Sequence, residues 1–287
     1  MRRALGRTGL VVNAIGLGCM PMSLAGRPPY RQSIETIHAA LDAGVDFFDT
    51  ADVYCLDHRE MGANERLLAD ALASWGGDRS SLVIATKGGL LRPDGAWASD
   101  ARPERLVEAC EASLRALGVA AIDLYQLHAP DDAVPLEDSV GALARLQEQG
   151  KIKHIGLSNV SVDEIERAST CAVIATVQNQ CSVIEPTGFV DGVMAYCDQN
   201  EITYLAYAPL GGWGNTAVVA EDGVIGAVAA RHGVSPYRVA LAWLLAKSAA
   251  VIPIPGASRP ASIRDSAGAA ALALSPSEVA ELDALAS

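Results

Sequence analysis

Short apolar, β-branched runs alternate along this chain with longer stretches whose apolar positions recur at helical spacing. Residues 3–5 and 10–12 predict a hairpin turned through Arg7-Thr8-Gly9. Strands are then predicted at 14–17, 47–50, 82–86, 122–127, 152–157, 176–178, 202–207 and 251–255. Helices are predicted between and after them at 33–43, 63–73, 103–117, 136–149, 162–168, 189–199, 224–231, 236–246, 261–269 and 276–285. Ser33 reads as a helix cap, Gly44 as a stop, Pro103 as a first-turn residue and Gly118 as a terminator. Each strand is followed by at least one helix, the signature of a parallel sheet with helical crossovers. Such repetition predicts an α/β fold, a (β/α)8 TIM barrel with a short N-terminal β-hairpin and extra C-terminal helices, in one domain over residues 1–287. An open dinucleotide-binding sheet would show Gly-x-Gly-x-x-Gly after the first strand, but Gly16-Leu17-Gly18 meets Pro21 at the third position.

Composition narrows the picture. Half of the 287 residues are apolar, enough for a large core, yet no run reaches membrane-spanning length. The arginines near the start precede no apolar stretch of signal-peptide length, so a cytoplasmic protein is expected. A net charge of −12 disfavours nucleic acid and anionic lipid as partners. Six cysteines form no Cys-x-x-Cys pair and match no metal spacing, so no metal is expected and the thiols read as reduced and mostly buried.

The ends of the predicted strands carry the chemistry. Phe47-Phe48 runs into Asp49, Ala85-Thr86 into Lys87, Gln126-Leu127 into His128, Gly156-Leu157 into Ser158 and Asn159, Val177 into Gln178, and Ala206 into Tyr207. In a barrel these polar groups share one rim, where active sites gather. A buried lysine and a buried aspartate each need a partner, and a barrel lets them meet. Tyr54, just past Asp49, would be a proton donor near Lys87, whose charge is expected to lower the phenol pKa from about 10. Asp49 would hold Lys87 in place, and His128 would orient a carbonyl oxygen or assist the proton transfer.

Leu5-Gly6-Arg7-Thr8-Gly9-Leu10, Gly16-Leu17-Gly18-Cys19-Met20 and Phe47-Phe48-Asp49-Thr50-Ala51-Asp52-Val53-Tyr54 occur in order along the chain. Gly62-Ala63-Asn64-Glu65, Ala85-Thr86-Lys87 and Asp123-Leu124-Tyr125-Gln126-Leu127-His128 follow, then the stretch from Gly150 to Asn159, Tyr207-Ala208-Pro209-Leu210-Gly211 and Ile254-Pro255-Gly256. On these motifs nearly the whole chain resembles the aldo-keto reductase superfamily. The resemblance implies reduction of a small carbonyl substrate with NADPH, NADH being the alternative, and a catalytic set of Asp49, Tyr54, Lys87 and His128. It implies that Ser158, Asn159 and Gln178 hydrogen-bond the carboxamide, that Tyr207 stacks on the nicotinamide, and that Pro209, Leu210 and Gly211 follow the pyrophosphate. Gly256, Ser258, Arg259, Ser262, Asp265 and Ser266 match the adenosine-phosphate segment.

The chain departs from the family at several points. Gly256 stands where lysine is frequent and Ser266 where asparagine is, so Arg259, or less directly Arg264, is expected to meet a 2′-phosphate. Cys181 replaces a common aromatic, which predicts a wider pocket, and Cys55 replaces a glycine. The long C-terminal loop of steroid-handling relatives is absent from the sequence, leaving Trp97 and Trp213 as expected pocket walls. Two other readings stay open: a cofactor-binding regulatory subunit, and a lyase forming a Schiff base on Lys87, although an adjacent aspartate disfavours the free amine that this chemistry needs.

Overall fold

The structure, a computed structural model, describes residues 1–212 and 214–286. Eight parallel strands run in chain order: β1 (Leu17–Gly18), β2 (Phe47–Asp49), β3 (Val83–Gly88), β4 (Ile122–Leu127), β5 (Ile152–Ser158), β6 (Ile174–Gln180), β7 (Thr203–Tyr207) and β8 (Val251–Pro253). Each pairs with the next. The sheet closes between its ends, where Gly16 N donates to Pro253 O at 3.0 Å and Gly18 N to Pro255 O at 3.1 Å. This is the expected (β/α)8 barrel.

The seam explains two features of the sequence at once. A Cβ on Gly18 would stand 2.8 Å from Ile254 O, and one on Gly256 would stand 2.7 Å from the Pro21 ring. Pro21, where a third glycine would complete the nucleotide motif, therefore packs against Gly256, where the sequence resemblance leads to the expectation of lysine. The two departures are one contact.

Strand alternation sorts the side chains. Phe48, Ile84, Tyr125 and Tyr204 face the helical layer and join the large outer core. Phe47, Val83, Ala85, Leu124, Leu205 and Ile252 form the barrel interior, together with Leu5 and Val12 of the N-terminal hairpin. That hairpin pairs Arg2–Ala4 with Val11–Asn13 and is fastened at the closed end of the barrel. Gly6 N donates to Thr203 Oγ1 at 2.7 Å, and the buried Arg3 guanidinium donates to the carbonyls of Leu245, Ser248 and Val251.

Helices Pro103–Leu117 and Pro276–Asp283 begin at the predicted prolines, the second behind a Ser275 cap. Other boundaries move. The first helix is Tyr30–Asp42, opened by Pro29, so Ser33 does not cap it but lies buried inside with its hydroxyl unpartnered. The predicted helix 189–199 breaks at Gly192, whose φ of 83° suits glycine, into Thr187–Val190 and Val193–Gln199. A helix over Thr216–Glu221 and a small hairpin pairing Leu90–Leu91 with Ala98–Ser99 were not anticipated by the periodicity. No helix among the described residues is long and apolar enough to cross a membrane.

Candidate active site

The alternation that fills the barrel with apolar residues continues upward into polar ones. Two residues beyond Phe47 comes Asp49; two beyond Ala85, Lys87; two beyond Leu124, Gln126. These side chains must point into the same space, and they meet there. Lys87 Nζ donates to Asp49 Oδ2 at 2.5 Å, to Thr50 O at 2.9 Å and to the Tyr54 hydroxyl at 2.9 Å. The ion pair is buried on both sides. Asp49 Oδ1 accepts from Gln178 Nε2 at 2.7 Å and Gln126 Nε2 at 3.3 Å. A carboxylate with this many donors can be held in a dry interior, because its desolvation is offset by charge-assisted bonds.

The Tyr54 hydroxyl accepts from lysine, which leaves its own proton free. Its ring meets His128 edge-on at 5.6 Å between centroids. Burial, with Asp49 reinforcing it, pushes the phenol well above its ordinary value. This reverses the expectation that Lys87 lowers it: in the protein alone, desolvation of phenolate outweighs the neighbouring cation. The Lys87 ammonium is pulled below its ordinary value by burial, while Asp49 opposes that fall. Burial also drives His128 well below the usual imidazole range, with Lys87 adding to the shift, so its ring is neutral at pH 7.

A second hydrogen-bonded layer supports these groups. Asn64 is fully buried; it accepts from Thr50 Oγ1 at 2.6 Å and donates to Cys19 O at 2.8 Å and Ser23 Oγ at 2.6 Å. Ser23 Oγ in turn donates to Tyr54 O at 2.6 Å. Asn64 thus fixes both the Thr50 residue whose carbonyl receives Lys87 and, through Ser23, the backbone of Tyr54. The Gly62-Ala63-Asn64-Glu65 motif does not disclose this role by itself, since Ser23 is distant along the chain and only the fold joins them. Asn64→Ala strands several buried polar atoms, so a loss on the order of 3 kcal/mol is expected, read as a lowered urea midpoint at unchanged slope.

Ser158 and Tyr207 close β5 and β7, Asn159 follows Ser158 directly, and Gln178 lies near the end of β6. Ser158 Oγ donates to Gln178 O at 2.7 Å, and Asn159 Nδ2 donates to His128 O at 2.9 Å. Tyr207 OH donates to Asn159 Oδ1 at 2.8 Å. Asn159 has a left-handed backbone, φ 58°, which asparagine tolerates. Ala208, φ 48°, tolerates it poorly, so the turn into Pro209, Leu210 and Gly211 is strained. Asp265 takes Arg238 in an ion pair at 2.8 Å and also accepts from Ser235, which makes it a brace between helices here. Ser258 accepts from Gln32 through its carbonyl at 2.8 Å. Arg259 is exposed, Ser262 half-buried and Ser266 buried. Trp97 stands edge-on to His128, 6.4 Å between centroids, as a pocket wall would. Trp213 lies outside the described residues. Cys181 is fully buried in the outer core.

Comparison with known proteins supplies the class. The model of the aldo/keto reductase family matches residues 14–287, and the chain belongs to that family of oxidoreductases. A thermostable aldo-keto reductase solved with the inhibitor epalrestat is 28% identical, with 99% of each chain covered and a TM-score of 0.84. A glycerol dehydrogenase from Gluconobacter oxydans is 27% identical over 99% of this chain and 94% of its own, TM-score 0.83. An aldo-keto reductase from Klebsiella pneumoniae, solved with NADPH, is 26% identical over 99% and 94%, TM-score 0.81.

Proposed function

We propose that this protein reduces an aldehyde or ketone to the alcohol with NADPH, using Tyr54 as the proton donor. The observation that carries the reading is the Lys87 ammonium, which donates to Asp49 and to the Tyr54 hydroxyl together. All its N–H groups are engaged, which also counts against a Schiff base on Lys87.

The rim suits a nicotinamide cofactor in its donor set. Asn159 and Gln178 offer amides, Ser158 a hydroxyl, and Tyr207 a half-buried aromatic face at the end of β7. The cofactor would supply the hydride, and the protein supplies position and electrostatics. Tyr54 gives its proton to the carbonyl oxygen as negative charge develops there. Lys87, held by Asp49, stabilises the tyrosinate left behind. Neutral His128 orients the oxygen toward Tyr54. Arg259, exposed and in no ion pair among the described residues, is the candidate for the 2′-phosphate. The six cysteines are unpaired, which fits work in a reducing compartment such as the cytoplasm. Residues 1–287 would act as one domain, the hairpin and the C-terminal helix both being fastened to the barrel's outer helices.

The test follows NADPH absorbance with purified protein over a panel of aldehydes and ketones, pyridoxal included. Substrate-dependent loss of absorbance is expected; cofactor binding without turnover on any carbonyl would favour the regulatory reading. In the same assay Arg259→Gln is expected to raise the KM for NADPH about tenfold, the worth of one charge-assisted bond, and to leave that for NADH unchanged. Equal changes for both cofactors would remove Arg259 from the phosphate site.

A further inference from the structure

Two arginines are buried among the described residues, Arg3 and Arg92, each 8% exposed. Arg3 donates through both Nη atoms to three backbone carbonyls, which leaves only its Nε without a partner. Arg92 has fewer partners. Its Nη2 reaches only Leu56 O, at 3.5 Å, the limit of a hydrogen bond, while Nε and Nη1 have no acceptor. No carboxylate pairs with it among the described residues, in a chain that carries twelve more acidic than basic side chains. A buried permanent cation without a counter-charge costs several kcal/mol, which stacking on an aromatic ring offsets only in part. An anion from outside the chain would redress that imbalance.

The position of Arg92 says which anion. Its guanidinium lies 4.1 Å from the centre of the Trp97 ring, and Trp97 meets His128 edge-on. Its Nη2 also reaches the carbonyl of Leu56, two residues after Tyr54. Arg92 therefore sits between the segment that carries the proposed proton donor and the wall of the substrate pocket. It also lines a cleft of about 360 Å³ with His58, Met61, Asp94 and Arg105, whose nearest carboxylate is Glu108 at 3.7 Å. The larger cleft beside residues 130–136 differs: its arginine, Arg167, is already paired with both oxygens of Glu137.

We propose that Arg92 is a specificity-determining residue that receives the carboxylate of the substrate, so that the preferred substrates are oxo acids: aldehydes or ketones bearing an acid group. This rests on the reductase reading for the carbonyl end, and on Arg92 alone for the acid end. Planar guanidinium suits planar carboxylate, and the bond forms where water is scarce.

The experiment compares 4-carboxybenzaldehyde with benzaldehyde as substrates, and terephthalate with benzoate as their unreactive mimics. Wild-type protein is expected to prefer the carboxylated aldehyde in kcat/KM by about tenfold or more, the scale of one charge-assisted bond. Arg92→Met keeps the stem against Trp97 and is expected to abolish that preference, with Arg92→Lys restoring part of it. Calorimetric titration with NADP+ present should show terephthalate binding about tenfold more tightly than benzoate, and no such difference in Arg92→Met. A preference absent from wild type, or retained in Arg92→Met, would overturn the proposal; so would equal losses for both aldehydes, which would make Arg92 a prop for Trp97. If neither aldehyde is reduced while terephthalate still binds through Arg92, the anion site stands and the reductase reading fails.

Discussion

Tyr54→Phe is expected to lower kcat for carbonyl reduction about a hundredfold to ten-thousandfold, the range general-acid catalysis contributes. The substitution removes one oxygen and keeps the ring, so the edge contact with His128 survives. The hydroxyl accepts one bond, from Lys87, and that ammonium retains Asp49 and Thr50 O, so stability should change by only about 1 kcal/mol. Cofactor affinity, read by fluorescence titration, should be nearly unaltered, because no predicted cofactor contact depends on this oxygen. Turnover equal to wild type would remove Tyr54 from the reaction.

The pH profile offers a separate check. A donor must hold its proton, and burial raises the Tyr54 phenol well above its ordinary value. Its proton is therefore kept as pH rises through neutrality, and Tyr54 imposes no alkaline fall in kcat/KM between about pH 6 and 9. His128, driven well below the usual range, is already neutral there and imposes no acid fall. A break near pH 6.5 that disappears in His128→Gln would show that the imidazole titrates after all.

Much of this was legible because one rule, strand alternation, governs both the core and the site. Reading Phe47 as inward makes Asp49 inward, and reading Ala85 as inward does the same for Lys87. Eight strand-and-helix units imply a closed barrel, and closure brings the two charges together. Helix Pro103–Leu117 was readable to the residue because proline and glycine fix its ends by backbone geometry. What stayed hidden depends on contacts between distant segments. Ser33 resembles a cap in isolation, but Pro29 has already started the helix. The Asn64 hub needs Cys19, Ser23 and Thr50 brought to one point. Arg92 looks like an ordinary loop charge until its burial with two unpartnered nitrogens is seen.

The largest combined effect is expected at Lys87. Lys87→Met leaves Asp49 buried with only the two glutamine amides, and breaking one side of a buried ion pair costs about 3–5 kcal/mol. For a chain of this size that lowers Tm by on the order of 10 °C, measurable by scanning calorimetry. Turnover should fall at least as far as in Tyr54→Phe, since the tyrosinate would lose the cation that stabilises it. Stability and chemistry can then be separated. The double substitution Lys87→Met with Asp49→Asn removes both charges and leaves an oxygen for Gln178. It should recover most of the lost Tm, because a neutral pair needs no counter-ion, while turnover stays lost. Recovery of both would mean that the single variant was inactive merely because it was unstable. Recovery of neither would mean that the ion pair shapes the barrel mouth in a way its charges alone do not explain.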